Sequence, residues 1–75
     1  MDNFIELNEG VFLNLNNCDY FEIHQSYYNG SYTAKYHVEF SFGSKFLKSV
    51  SFDSHKTALE WVNNTVLNKK LTDLN

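Results

Sequence analysis

Arginine is absent from this chain and cysteine occurs once, as Cys18. Six lysines against nine acidic residues leave a net charge of −3 and a pI near 5.4. A general grip on nucleic-acid backbone needs clustered Lys and Arg, so this balance argues against it. A single cysteine cannot close an internal disulfide, and secreted domains of this size usually carry several, so a cytoplasmic home is the expectation. Three glycines supply no phosphate-binding loop. Met1-Asp-Asn-Phe-Ile-Glu-Leu7 lacks the basic flank and long apolar run of a signal peptide, and no stretch reaches membrane-spanning length. Asn29-Gly-Ser31 and Asn63-Asn-Thr65 match the glycosylation tripeptide only formally. No local motif joins a nucleophile to a base, and a domain this small can hardly wall off a substrate pocket. The chain therefore reads as non-enzymatic and free of cofactors.

Aromatic residues make up 17% of the 75 residues, hydrophobic ones 43% and charged ones 20%, a globular balance. That length allows one domain, residues 1–75, which buries roughly 60% of its unfolded surface. Large aromatic side chains help so small a core, and no metal is needed to complete it. Ten asparagines beside many Lys, Tyr, Phe and Ile point to an AT-rich genome, that of a bacterium or its phage.

Asp19 to Phe42 reads as a long β-hairpin turning at Asn29-Gly30, the dipeptide that best supplies the two positive φ angles of a type I′ turn. Counting down from that turn pairs Tyr27 with Tyr32, Gln25 with Ala34, Ile23 with Tyr36 and Phe21 with Val38 on one largely apolar face. The other face pairs Ser26 with Thr33, His24 with Lys35, Glu22 with His37 and Tyr20 with Glu39. A slip of one residue would scramble both faces, so the agreement supports the hairpin.

The flanks fill in around it. Residues 1–10 read as an arm or an edge strand ending in the turn Asn8-Glu-Gly10. Val11 to Leu15 alternates as a strand with Val11, Leu13 and Leu15 inward, and a loop over Asn16–Tyr20 would bring Leu13 and Leu15 against Phe21 and Ile23. After Phe42, a three-residue loop would set Val50 opposite Val38 and Phe52 opposite Tyr36, with Lys48 as the polar exception on an edge strand. Ser54 is a good N-cap for a helix from His55 to about Lys69 with Ala58, Leu59, Val62 and Val66 inward. The expected fold is α+β: an antiparallel meander of three to four strands with one C-terminal helix on one face.

Two surfaces could carry function. The uncovered sheet face presents Tyr20, Glu22, His24, Ser26, Tyr28, Thr33, Lys35, His37, Glu39 and Ser41. Such a face is commonly plain solvated surface, but Tyr20, His24, Tyr28, Lys35 and His37 would also suit partner recognition. Glu22, His24 and His37 could converge there as zinc-type ligands; a cross-strand Glu–His pair explains the same residues, and no metal site is assigned. On the helix, Leu67, Leu71 and Leu74 fall nearly opposite Ala58 and Val62, with Trp61 on the flank. If the helix runs to the end, they form a second apolar stripe suited to a partner; if it stops near Lys69, residues 71–75 fold back or fray.

A four-strand meander followed by a helix resembles, at the level of fold, the subunit of dimeric single-strand DNA binders of the transcriptional-coactivator type. The resemblance implies bases stacked on sheet aromatics, for which Tyr20 and Tyr28 would serve, and phosphates neutralised by basic residues, for which Lys35 would serve. The leading expectation is instead a protein-binding module, with self-association through Trp61, Leu67 and Leu71 as its natural first form and single-stranded nucleic-acid binding as the alternative. No membrane or small-molecule partner is expected.

Overall fold

The structure, a computed structural model, describes residues 3–68. Five strands precede a single helix: β1 (Phe4–Asn8), β2 (Val11–Asn14), β3 (Tyr20–Tyr28), β4 (Ser31–Phe42) and β5 (Lys45–Lys48), then helix α1 from His55. The fold is α+β, with a three-stranded antiparallel meander in the order β3-β4-β5 and a separate β1-β2 hairpin.

β2 pairs with β1 and not with β3, which corrects the expected course of the chain. A 3₁₀ turn at Leu15–Asn17, capped by the Asn14 side chain, swings the chain away before β3 begins. Leu13 and Leu15 still reach the core, together with Ile5 and Leu7 from β1. Packing can thus be inferred from the alternation of apolar residues while the hydrogen-bonded neighbour is not.

The Asn29-Gly30 turn forms as expected, with φ of 52° and 83°. Tyr28 pairs with Ser31 and Tyr27 with Tyr32, but beyond them Gln25 pairs with Tyr36, His24 with His37, Ile23 with Val38 and Phe21 with Phe40. Thr33, Ala34 and Lys35 therefore face the single residue Ser26, a bulge with two extra residues. An offset of two preserves the faces but changes every cross-strand partner below it. Thr33 braces the bulge: its hydroxyl donates to the Ser26 carbonyl at 3.1 Å and accepts from the Lys35 amide at 3.1 Å. Gln25 Nε2 adds a bond to the Thr33 carbonyl at 2.7 Å.

The β4–β5 loop has two residues, Gly43-Ser44, instead of the expected three. Gly43, at φ 66°, occupies the first loop position, where a type II′ turn demands positive φ. Leu47 consequently points to the core side opposite Phe40, while Lys48 lies opposite Glu39. The expected pairing of Tyr36 with Phe52 is nevertheless present, because the chain bulges at Ser49-Val50. There the Ser49 hydroxyl accepts from the Val38 amide at 2.9 Å, and the Val50 amide reaches across to the Leu7 carbonyl at 3.1 Å. That last bond ties the two-stranded hairpin to the meander.

Ser54 caps the helix as expected, accepting from the Thr57 amide at 3.1 Å. The helix is α-helical over His55–Trp61 and π-helical over Val62–Leu67. Val, Asn and Thr fill most of that second stretch, residues with weak preference for the α form. Ala58, Val62 and Val66 are buried, whereas Leu59, expected inward, is exposed. One core joins these valines to Val38 and Phe40 of β4 and to the four apolar residues of the β1-β2 hairpin. Among the described residues, no helix is long and apolar enough to cross a membrane.

Candidate functional site: the outer face and edge of the long hairpin

The helix begins beneath Tyr36, whose ring meets His55 edge-on at 5.7 Å. Past that point the β3–β4 hairpin projects without cover. Tyr27 and Tyr32, on the side the helix covers further down, are therefore 61% and 68% exposed, and Tyr28 is 70% exposed. Tyr27 and Tyr32 hold each other in a T-shaped contact with centroids 5.0 Å apart. The arm thus ends in three exposed rings, two of them fixed by their mutual contact and all set on a braced bulge.

On the face away from the helix, the shifted register replaces the expected Glu22–His37 pair by Glu22 opposite Glu39 and His24 opposite His37, and His37, expected as an exposed recognition residue, is buried at 8% exposure. The two imidazoles stack with centroids 6.1 Å apart. His24 Nε2 lies 3.0 Å from Glu22 Oε1 and 3.7 Å from Glu39 Oε1. His37 Nε2 lies 3.1 Å from Glu39 Oε2, and His37 Nδ1 lies 2.9 Å from Ser26 Oγ. A carboxylate only accepts, so Nε2 of His37 carries a proton; in the neutral ring Nδ1 then accepts from the Ser26 hydroxyl. The hydrogen bond from His37 holds the Glu39 carboxyl below its usual pKa of 4.5, with His24, His37 and Lys48 adding electrostatic support against desolvation.

The order Ser26, His37, Glu39 is that of a hydroxyl–imidazole–carboxylate relay, and sequence reasoning missed it because the turn alone placed Ser26 opposite Thr33. Among the described residues, two shallow grooves, of ≈ 360 and ≈ 350 Å³, are lined by other side chains. The first runs between β1 and the helix, past Glu6, Leu7, Val50 and Trp61, and the second lies around Phe4, Phe12, Phe42 and Leu47. Among the described residues, no three His, Cys, Asp or Glu side chains are placed to hold a metal ion.

Of the remaining candidates, Tyr20 stands exposed at the start of β3. Lys35 is drawn to Asp53, with Nζ 2.6 Å from Oδ1, and the contact depresses the Asp53 pKa through hydrogen bonding and charge. Trp61 packs on Phe40 and Phe52, with centroids 6.1 and 5.6 Å away, so it belongs to the rim of the core. Leu67 is exposed, and Leu71 and Leu74 lie outside the described residues.

Comparison with protein-family models, with curated proteins and with solved structures finds no match.

Proposed function

We propose that the chain is a non-enzymatic protein-binding module that works through its long β3–β4 hairpin. The observation that supports this reading is the trio Tyr27, Tyr28 and Tyr32, exposed together on an arm that outruns the helix. Tyrosine gives large, rigid, amphipathic contact area at a low cost in side-chain entropy. Beside it runs β3, an edge strand of nine residues without a lysine or proline to discourage pairing. Aromatic anchors next to an open strand edge suit a protein partner that adds a strand.

The test is site-specific photo-crosslinking in the source cell, with a benzophenone amino acid at Tyr28 or, as a control on the helix, at Lys56. Adducts from position 28 that are absent from position 56 are the expected result. No adduct at position 28, or the same adducts from both positions, would reject the reading.

A further inference from the structure

The direction of each backbone group on β3 follows from the opposite side of the meander. Tyr36 and Phe52 exchange both N–H···O bonds, at 2.9 and 2.6 Å, and the Ser49 amide donates to the Val38 carbonyl at 2.9 Å. Even-numbered residues of β4 thus aim their backbone groups at β5, and His37, Glu39 and Ser41 aim theirs at β3. Through the register, Tyr20, Glu22 and His24 point inward to β4. Phe21, Ile23, Gln25 and Tyr27 present N–H and C=O groups to the outer edge. Among the described residues, no other strand pairs with that edge.

The side chains along it complement a reversed copy of themselves. We propose that β3 pairs antiparallel with β3 of a second copy of this chain about a two-fold axis at Ile23, joining two meanders into one six-stranded sheet. The proposal rests on the reading of the hairpin as the binding element and names its occupant. In this register Ile23 meets Ile23 of the second copy on the core side, and Phe21 meets Gln25. On the outer face each Glu22 lies opposite the other copy's His24, and each Tyr20 opposite the other's Ser26. Each Glu22 already holds its own His24 at 3.0 Å, so the two pairs close into an alternating ring of acid and imidazole. The outward groups of Phe21, Ile23 and Gln25 bond one another, and no like charges face each other across the new strand pair. A two-fold interface requires such self-complementarity, and β3 supplies it with both backbone and side chains.

The geometry gives two discriminating variants. Gln25→Pro removes an amide hydrogen that faces the open edge and takes no part in the β3–β4 ladder, a position where a strand tolerates proline. It also deletes the side-chain bond to the Thr33 carbonyl, so Gln25→Ala, which loses that bond alone and should still dimerise, is its control. Glu22→Lys changes an exposed side chain and sets a lysine opposite the second copy's His24. Light scattering after size-exclusion chromatography, over a concentration series, should show a dimer for the full chain. Gln25→Pro should raise the dimer dissociation constant about tenfold or more with the far-UV circular dichroism retained. Glu22→Lys should weaken the dimer, and adding His24→Glu, which exchanges the pair, should restore it. A chain that stays monomeric at its highest soluble concentration overturns the proposal, as does a dimer indifferent to Glu22→Lys and to Gln25→Pro in its folded form. Crosslinks from position 28 to a different protein, with a monomeric chain, would reject the self-pairing and leave the binding function standing.

Discussion

His24 lies opposite His37 in the β3–β4 ladder, with the imidazole rings stacked and their centroids 6.1 Å apart. The Asn29-Gly30 turn by itself would have set His24 against Lys35. Two additional residues in β4 make the difference, and with them come the contacts of Ser26, His37 and Glu39. The polar network on the outer face is therefore a consequence of the bulge, and its stability depends on what holds the bulge in place.

Thr33 is the brace that mutation can remove most cleanly. Thr33→Val keeps the shape and deletes both hydroxyl bonds, leaving the Lys35 amide without its acceptor. The expected cost is about 1 kcal/mol. Thr33→Ser, which keeps the hydroxyl, should retain most of the stability in urea unfolding. Equal losses in the two variants would show that the bonds to Ser26 and Lys35 do not hold the bulge.

The face of the helix can be checked by paired truncations. Val66→Ala empties a fully buried site in the core cluster that also holds Val38 and Phe40 and should cost about 2 kcal/mol. Leu59→Ala removes a side chain that is 43% exposed and should fall within about 0.5 kcal/mol of the full chain. A loss for Leu59→Ala as large as that for Val66→Ala in urea unfolding would return Leu59 to the inward stripe expected from sequence periodicity.

These two sites mark where the sequence was legible and where it was not. Ser54 and Asn29-Gly30 act through bonds and dihedral angles within a few residues of themselves, so their roles were readable directly. Alternation announced the inward positions Leu13, Leu15, Phe21 and Ile23, but it also placed Val11 inward, and Val11, beside the β1–β2 turn, is 41% exposed. The bulge at Thr33–Lys35 left no such mark, because an offset of two preserves the polar and apolar faces that the register argument used. Leu59 failed for a related reason: beside Ala58 it fits a stripe of α-helical period, but the core takes only one side chain per turn. The pairing of β2 with β1 depends on where the 3₁₀ turn at Leu15–Asn17 sends the chain, and alternation within a strand carries no record of its neighbour.

Nucleic acid makes a contrasting prediction. Lys35 is engaged by Asp53, and Glu22 and Glu39 lie on the same face as His24 and His37. A fluorescently labelled short oligonucleotide should show no binding at low salt, where phosphate contacts are strongest. Binding that weakens as salt rises would return the outer face to the single-strand reading.

Glu39 links the network to pH. Its folded-state pKa lies below the ordinary 4.5, chiefly because His37 donates a hydrogen bond to it, with the charges of His24, His37 and Lys48 acting in the same direction. The ionised carboxylate is thus favoured by folding. Its stabilising contribution is complete above the unfolded value and is lost as pH falls through the depressed folded value, where the native carboxylate also takes up its proton. Glu39→Gln cannot titrate there, so wild-type and variant stabilities should differ most above the ordinary value of 4.5 and converge as the pH is lowered through the depressed folded value. Urea unfolding across that window reads the difference directly. A gap that stays constant or widens toward acid would mean that folding does not favour the charged form, and the contact between His37 and Glu39 would then have to be revised.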